Sequence, residues 1–133
     1  MIEYSVQKLA KISGVSVRTL HHYDQIGLLK PKVRTEAGYR LYGEEELLRL
    51  QQILFYKTLA YPLKDIASIL DDPQFDLIAS LSKQKTALNE QKQNLETLIN
   101  TINKTIFNLK NKKMLDHEEL YEGLPKEKAK AYR

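Results

Sequence analysis

The chain contains no cysteine and no tryptophan, and it has only five glycines and four prolines. The absence of cysteine excludes disulfide bonds, thiolate metal sites, iron–sulfur clusters and cysteine catalysis. Chains without disulfides are typical of reducing compartments such as the cytosol. The opening residues MIEYSVQKLAK lack the apolar stretch of a signal peptide. No apolar run approaches the roughly 18 residues of a membrane-spanning helix, so we expect no membrane partner.

Charge is unevenly spread along the 133 residues, although the net charge is only +4. Residues 1–43 carry seven basic and three acidic side chains, a net of +4, whereas residues 44–75 carry three and six, a net of −3. Residues 76–133 carry eleven and eight, a net of +3. Hydrophobic residues make up 42% of the chain, enough for a folded core. A positive first third is what a phosphate-binding surface requires.

Two short helices around a tight turn are predicted near the start of the chain, over Val6–Ser13 and Val17–Ile26. Ala10 is small enough to let them cross closely, and Gly14 tolerates the positive φ of a tight turn. Ser16 is a good N-cap for the second helix because its hydroxyl can accept a free backbone N–H. The side chains expected on the open side of that helix are Arg18, Thr19, His22 and Tyr23. The pattern is typical of a helix-turn-helix, whose second helix enters the DNA major groove, or of an αα-hairpin in a helical core.

A small β-hairpin is predicted next, over Lys30–Tyr42 with the sequence KPKVRTEAGYRLY. Its ends can extend, while the middle, around Gly38, has turn chemistry. A hairpin of this size is not stable alone, so we expect it to lean on the helices as a wing. Two further helices follow, one after the acidic start Glu44–Glu46 and one over Leu63–Leu70.

A long helix is predicted over Asp76–Lys113, a segment without glycine or proline. Its apolar residues recur at heptad spacing, with Lys85 and Lys92 in the complementary positions. Such a seam favours a coiled coil, and the two lysines could set its register or orientation. The helix either joins two copies of the chain or packs, partly solvated, on its own domain. The predicted dimerisation residues are Leu81, Leu88, Leu95, Ile99, Ile102, Ile106 and Leu109.

The segment HHYDQIGLLKP, followed by GYRLY, resembles the MerR family of bacterial transcription regulators. The resemblance extends over about residues 2–112 and is similar to the multidrug-sensing branch that contains TipA and Mta. The tail LYEGLPKEKAKAYR resembles the entry into that branch's effector-binding domain. The implied fold is mainly α, a winged helix-turn-helix domain followed by a long dimerising coiled-coil helix. The expected domains are residues 1–75 for DNA binding, 76–113 for dimerisation and 114–133 as a linker.

The resemblance also implies a function. A homodimer joined by an antiparallel coiled coil would bind palindromic promoters whose spacer between the −35 and −10 elements is too long. By bending and untwisting that DNA, the dimer would let RNA polymerase meet both elements in usable phase. The implied setting is the bacterial cytoplasm, in association with the nucleoid, and the implied process is a multidrug or antibiotic response. We expect no effector ligand to bind these 133 residues.

The family's DNA contacts carry over to the positions where the motif matches. Arg18 can pair with guanine or with phosphate. Many relatives have Arg-Tyr-Tyr where this chain has His21-His22-Tyr23, so its base preference can differ. Asp24 is expected to be structural, and Lys64 is a weaker candidate for a backbone contact. The implied contacts are Ser16, Arg18, Thr19, His22 and Tyr23 on the recognition helix, Arg34, Tyr39 and Arg40 in the wing, and Lys57 beyond it.

No catalytic constellation is recognisable in the sequence, so we expect no enzyme, no cofactor and no metal site. The run His117-Glu118-Glu119 has no second ligand four residues after the histidine, where Tyr121 stands. The remaining alternative to a DNA-binding regulator is an interaction module. In that case the coiled coil joins protein partners and the helix-turn-helix serves only packing.

Overall fold

The computed structural model describes residues 2–127 as five α-helices, three short strands and a 3-10 turn. The chain divides into two compact units, the first ending at Gln84 and the second beginning at Lys85. Within the described residues no helix combines the length and the apolar character needed to cross a bilayer. In chain order the elements are β1 (Tyr4–Ser5), α1 (Val6–Ser13), α2 (Val17–Gln25), β2 (Val33–Arg34), β3 (Arg40–Tyr42), α3 (Glu44–Thr58), α4 (Leu63–Asp71), α5 (Leu77–Lys110) and the 3-10 turn Glu119–Tyr121.

The helix-turn-helix forms as predicted from α1 and α2. Gly14 ends α1 at φ 78°, and its N–H donates to the carbonyl of Ala10. Ser16 caps α2, because its Oγ accepts the backbone N–H of Thr19 at 3.0 Å. The left-handed glycine and the serine cap together turn the chain between the helices within three residues, Gly14–Ser16.

The wing is part of a three-stranded antiparallel sheet with the order β1-β3-β2. The predicted hairpin accounts for β2 and β3, in which Arg34 lies opposite Arg40. The strand β1 was not predicted, and it pairs Tyr4 with Tyr42 on the other side of β3. A strand of two residues shows no alternation, so the sequence carries no signal for it. Because β1 runs directly into α1, the sheet ties the wing to the helix-turn-helix.

The core of the first unit lies between the helix-turn-helix, the sheet and α3 and α4. Leu28 and Leu29 return to it after α2, and Tyr42 fills it from β3. Arg49 of α3 donates to the carbonyl of Leu28 at 2.7 Å and pairs with Asp71 at 2.8 Å. The buried apolar side chains are Val6, Leu9, Leu20, Tyr23, Leu28, Leu29, Tyr42, Leu50, Ile53, Tyr56, Ile66 and Leu70.

In the second unit the chain after α5 folds back along that helix. Gly123, at φ 88°, comes so close to α5 that a Cβ there would lie 3.0 Å from the backbone nitrogen of Leu98. The Thr101 hydroxyl donates to the carbonyl of Glu122 at 2.8 Å, and Lys104 pairs with Glu119. The predicted tail therefore packs on α5 over part of its length, while residues 128–133 of that tail lie outside the described residues.

Candidate nucleic-acid interface

The outer face of α2 presents polar and basic side chains to solvent. Arg18, His22 and Gln25 are exposed, His21 is half-buried, and together with Val17 they line a shallow open groove. Gln25 was not among the predicted contacts. Helical spacing could have predicted Gln25 as a contact. Position 25 lies seven residues, or two helical turns, after Arg18 and therefore falls on the same face of α2.

Ser16 and Thr19 stand at the start of this face, and their hydroxyls are already engaged with each other. The Ser16 Oγ donates to the Thr19 Oγ1 at 2.9 Å while it caps the helix. Both hydroxyls retain lone pairs that can accept further hydrogen bonds. In this structure their hydrogen bonds stabilise the N-terminal end of α2. The positive end of the helix dipole lies at the same place and favours an anion there.

Tyr23 is buried, with 1% of its surface exposed, so the prediction that it lies on the open side of α2 is wrong. The residue follows Leu20 by three positions and shares its core-facing side of the helix. Its hydroxyl accepts a hydrogen bond from the Lys57 ammonium at 3.2 Å, and that ammonium lies 5.9 Å from the ring centroid. Tyr23 thus holds Lys57, at the end of α3, beside the recognition helix.

The two wing arginines converge on one carboxylate of α2. Arg34 binds Asp24 through both terminal nitrogens, at 2.7 and 2.5 Å, and the Arg40 Nε donates to the same carboxylate at 2.8 Å. The Asp24 side chain is 5% exposed, whereas those of Arg34 and Arg40 are 54% and 29% exposed. Asp24 is structural, as predicted. The sequence did not reveal its partners, which lie 10 and 16 residues further along the chain.

The cluster of Asp24, Arg34 and Arg40 keeps a net positive charge, because it contains two guanidinium groups and one carboxylate. The hydrogen bonds from Arg34, reinforced by those from Arg40, hold the pKa of Asp24 below its ordinary value of 3.8 despite the desolvation that opposes them. The buried Tyr42 hydroxyl lies nearby, and burial raises its pKa. Tyr39, next to Arg40 in the wing, is 67% exposed. Of the predicted wing residues, Arg34 and Arg40 therefore meet at one positive surface beside α2, while the structure shows no hydrogen bond of the Tyr39 side chain to either of them.

The described residues bring together no group of three or more histidines or carboxylates that could hold a metal ion.

The likeness to known proteins includes this region and extends well beyond it. The model for the MerR family regulatory protein matches residues 5–42, from the sheet through the wing. The crystal structure of the HTH-type transcriptional regulator SkgA from Caulobacter crescentus matches with a TM-score of 0.89 and 46% identity, covering 94% of this chain and 90% of that one. The chain belongs to the MerR family. Its mainly α fold, with a helix-turn-helix, a wing and a long helix, is confirmed.

Relatives within the MerR family are regulators and not enzymes. SkgA of Caulobacter vibrioides is 47% identical over 96% of this chain and 50% of its own length. The HTH-type transcriptional activator mta of Bacillus subtilis is 46% identical over 92% of this chain and 48% of its own. This chain therefore spans about half the length of these curated relatives. The structure of HiNmlR, a MerR family regulator lacking the sensor domain and bound to promoter DNA, matches with a TM-score of 0.63 and 25% identity over 83% of this chain and 92% of that one.

The substitution Asp24→Asn should destabilise the first unit by about 2 kcal/mol, because charged hydrogen bonds to a buried carboxylate are lost. A carboxylate with a lowered pKa stabilises the fold above its ordinary pKa, and this contribution disappears as the pH falls. The unfolding free energies of wild type and variant should therefore differ at pH 7, and the difference should shrink as the pH falls below the ordinary pKa of 3.8. Urea unfolding followed by circular dichroism measures both.

The control for this substitution is Glu36→Gln, which neutralises an exposed carboxylate in the turn of the same wing. Glu36→Gln should change the unfolding free energy by less than about 0.5 kcal/mol. An Asp24→Asn variant as stable as wild type at pH 7, or a difference that persists unchanged at low pH, would show that the cluster does not hold the wing.

Proposed function

We propose that this chain is a homodimeric, sequence-specific DNA-binding regulator of transcription. Its helix α2 enters the major groove, and its wing lies on the neighbouring phosphate backbone. The observation that supports this most is the exposed face of α2 beside a wing that Asp24 anchors to the same helix through Arg34 and Arg40. The proposed base-reading helix α2 and the proposed phosphate-binding wing are thus held in a fixed orientation within one unit.

In this proposal the base edges are read from the middle of α2. Arg18 pairs with guanine O6 and N7, while His22 and Gln25 follow on the same face. The backbone contacts come from Ser16 and Thr19 at the start of α2 and from the wing. Tyr23 is withdrawn from the set of contacts, because its ring is buried. The proposed phosphate contacts beyond α2 are Arg34, Tyr39, Arg40 and Lys57.

Dimerisation is proposed to use the apolar seam of α5. The side chains of this seam from Leu88 onward are largely exposed, with values from 42% at Leu88 to 61% at Leu109, while Leu81 is half-buried. The returning tail packs against Thr97, Leu98 and Thr101, which occupy other positions of the heptad. The described part of the tail, up to residue 127, therefore leaves the seam open to a second copy, in the antiparallel arrangement that the resemblance implies.

The finer function is proposed from the relatives. The regulator activates promoters whose −35 and −10 elements are too far apart, by bending and untwisting the DNA for RNA polymerase. The curated relative mta is an activator, and HiNmlR has been seen on promoter DNA. We further propose that the regulated process is a multidrug or antibiotic response. The protein would act in the bacterial cytoplasm, bound to the nucleoid. Residues 114–133 would be a linker to a sensing domain. Residues 1–75 bind DNA, residues 76–113 join the dimer, and no effector binds these 133 residues.

The substitution Arg18→Ala should weaken binding to a duplex that wild type enriches from a random-sequence pool, by about 10- to 100-fold, and should relax the base preference at one position of each half-site. The loss follows from the missing bidentate contact. Lys83→Ala removes an exposed positive charge from α5 and is the matched control.

Fluorescence anisotropy on the enriched duplex and on one-base variants measures the effect of Arg18→Ala. Equal weakening on all sequences would restrict Arg18 to phosphate contact. Failure of wild type to enrich any sequence would favour the interaction module, whose partner is a protein.

The substitution Leu95→Asp should convert the dimer to a monomer at micromolar concentration, because it places a charge in the middle of the seam. Asn94→Asp adds the same charge one residue away and outside the seam, and it should leave the dimer intact. Sedimentation velocity distinguishes the two species. If Leu95→Asp sediments as the wild type does, the proposed seam is not the interface.

A further inference from the structure

We infer that a buried polar cluster of Gln52, Tyr56, Ser80 and Gln84 sets the spacing between DNA half-sites that the dimer accepts. The cluster fixes the register in which the first turns of α5 dock on α3, and through α5 it fixes the separation of the two recognition helices. These four are positioning residues, and they contact no DNA. The inference rests on the proposed dimeric DNA binding.

Every side-chain nitrogen and oxygen of the cluster has at least one hydrogen-bond partner within it. The Gln52 Nε2 donates to the Gln84 Oε1 at 3.0 Å, and the Gln84 Nε2 donates back to the Gln52 Oε1 at 3.1 Å. The Ser80 Oγ also donates to the Gln52 Oε1, at 2.6 Å. Because Ser80 has a single hydroxyl hydrogen, Tyr56 must be the donor in the 2.5 Å contact between their hydroxyls.

All four side chains are buried, with exposures of 1% for Gln52, 4% for Tyr56, 7% for Ser80 and 2% for Gln84. Fully buried amides are uncommon in an apolar core, since exchanging water for protein partners contributes little net stability. Apolar side chains of similar volume would pack here at least as well. Stability therefore does not explain why the cluster is polar. The need to fix the register of α5 on α3 does explain it.

The geometry is specific because the hydrogen bonds are directional. Gln52 and Tyr56 are four residues apart on α3, and Ser80 and Gln84 are four residues apart on α5, so two matched pairs face each other. Sliding α5 by one turn, about 5.4 Å, would leave several buried polar groups unpaired. Each such group costs about 1–3 kcal/mol. An apolar contact, which has no direction, would penalise the same slip far less.

The cluster lies where α5 leaves the first unit, since Gln84 is the last residue of that unit. From there α5 runs to Lys110 as one helix without glycine or proline. In a two-fold dimer the distance between recognition helices decides which half-site spacing fits. A cluster that sets how α5 starts therefore sets that distance, and the spacing preference follows from it.

The test uses an apolar variant, Gln52→Leu/Tyr56→Phe/Ser80→Ala/Gln84→Leu, which removes every bond of the cluster and leaves no member unpaired. The control is Gln51→Leu/Gln93→Leu, the same change at two exposed glutamines of α3 and α5. Because the chain has no cysteine, Gln7→Cys on α1 gives one labelling site per protomer. A spin label there reports the distance between the two DNA-binding units by pulsed dipolar spectroscopy.

Wild type and control should give one narrow distance distribution. The apolar variant, still dimeric by sedimentation, should give a distribution at least twice as wide or displaced by about one helical turn, roughly 5 Å. An equally narrow, unshifted distribution in a dimeric variant would overturn the inference. If the fourfold variant does not fold, the single substitution Gln84→Met, which removes both amide–amide bonds, replaces it. A broadened or displaced distance distribution would then support the inference, and an unchanged one would overturn it.

A functional measurement uses the duplex enriched by wild type, with one base pair inserted or deleted between its half-sites. Each change rotates one half-site against the other, so wild type should lose about 10-fold or more in affinity. The apolar variant should lose less than about 3-fold, because its units adapt. Equal losses would contradict the inference. If the spin-labelled protein with the wild-type cluster gives no dipolar signal and sediments as a monomer, the proposed dimer is wrong. The inference about half-site spacing is then wrong as well.

Discussion

The carboxylate of Asp24 holds together the surface that α2 and the wing form. It lies near the end of α2, almost fully buried, and receives hydrogen bonds from Arg34 and Arg40 on the two strands of the wing. Without this anion, two guanidinium groups would face each other across a hairpin too small to hold its own shape. One buried charge therefore makes a rigid unit from a helix and a wing, and it leaves their outer surface positive.

The buried polar cluster between α3 and α5 works by the same principle. In both places an apolar core supplies the stability, while directional bonds between buried polar groups select one orientation of two elements. The first bond network orients the wing on α2, and the second orients the start of α5 on α3. The proposed dimer would present two helices to DNA at a fixed distance. That requires each of the two orientations to be unique, and hydrophobic contact alone supplies neither.

The sequence was sufficient for features that depend on local patterns. Gly14 and Ser16 located the turn, and the heptad spacing located α5. It was insufficient where the outcome depends on which distant residues meet. Tyr23 was placed on the wrong side of α2, since a tyrosine suits either face and only its contact with the end of α3 decides. Likewise, nothing local in the sequence distinguishes a wing arginine bound to Asp24 from one free in solvent, or a buried Gln84 from its exposed neighbours.

We propose that α2 and its anchored wing form a DNA-reading surface in a dimer. The most direct measurement is the affinity of the whole chain for an enriched palindromic duplex and for its scrambled counterpart, by anisotropy at 50 and 200 mM salt. A dimer that contacts about 6–10 phosphates should bind the palindrome selectively and lose about 10³- to 10⁵-fold in affinity between those conditions. Weak binding to both duplexes with little salt dependence would show that this surface does not read DNA, and it would assign the exposed faces to protein partners instead.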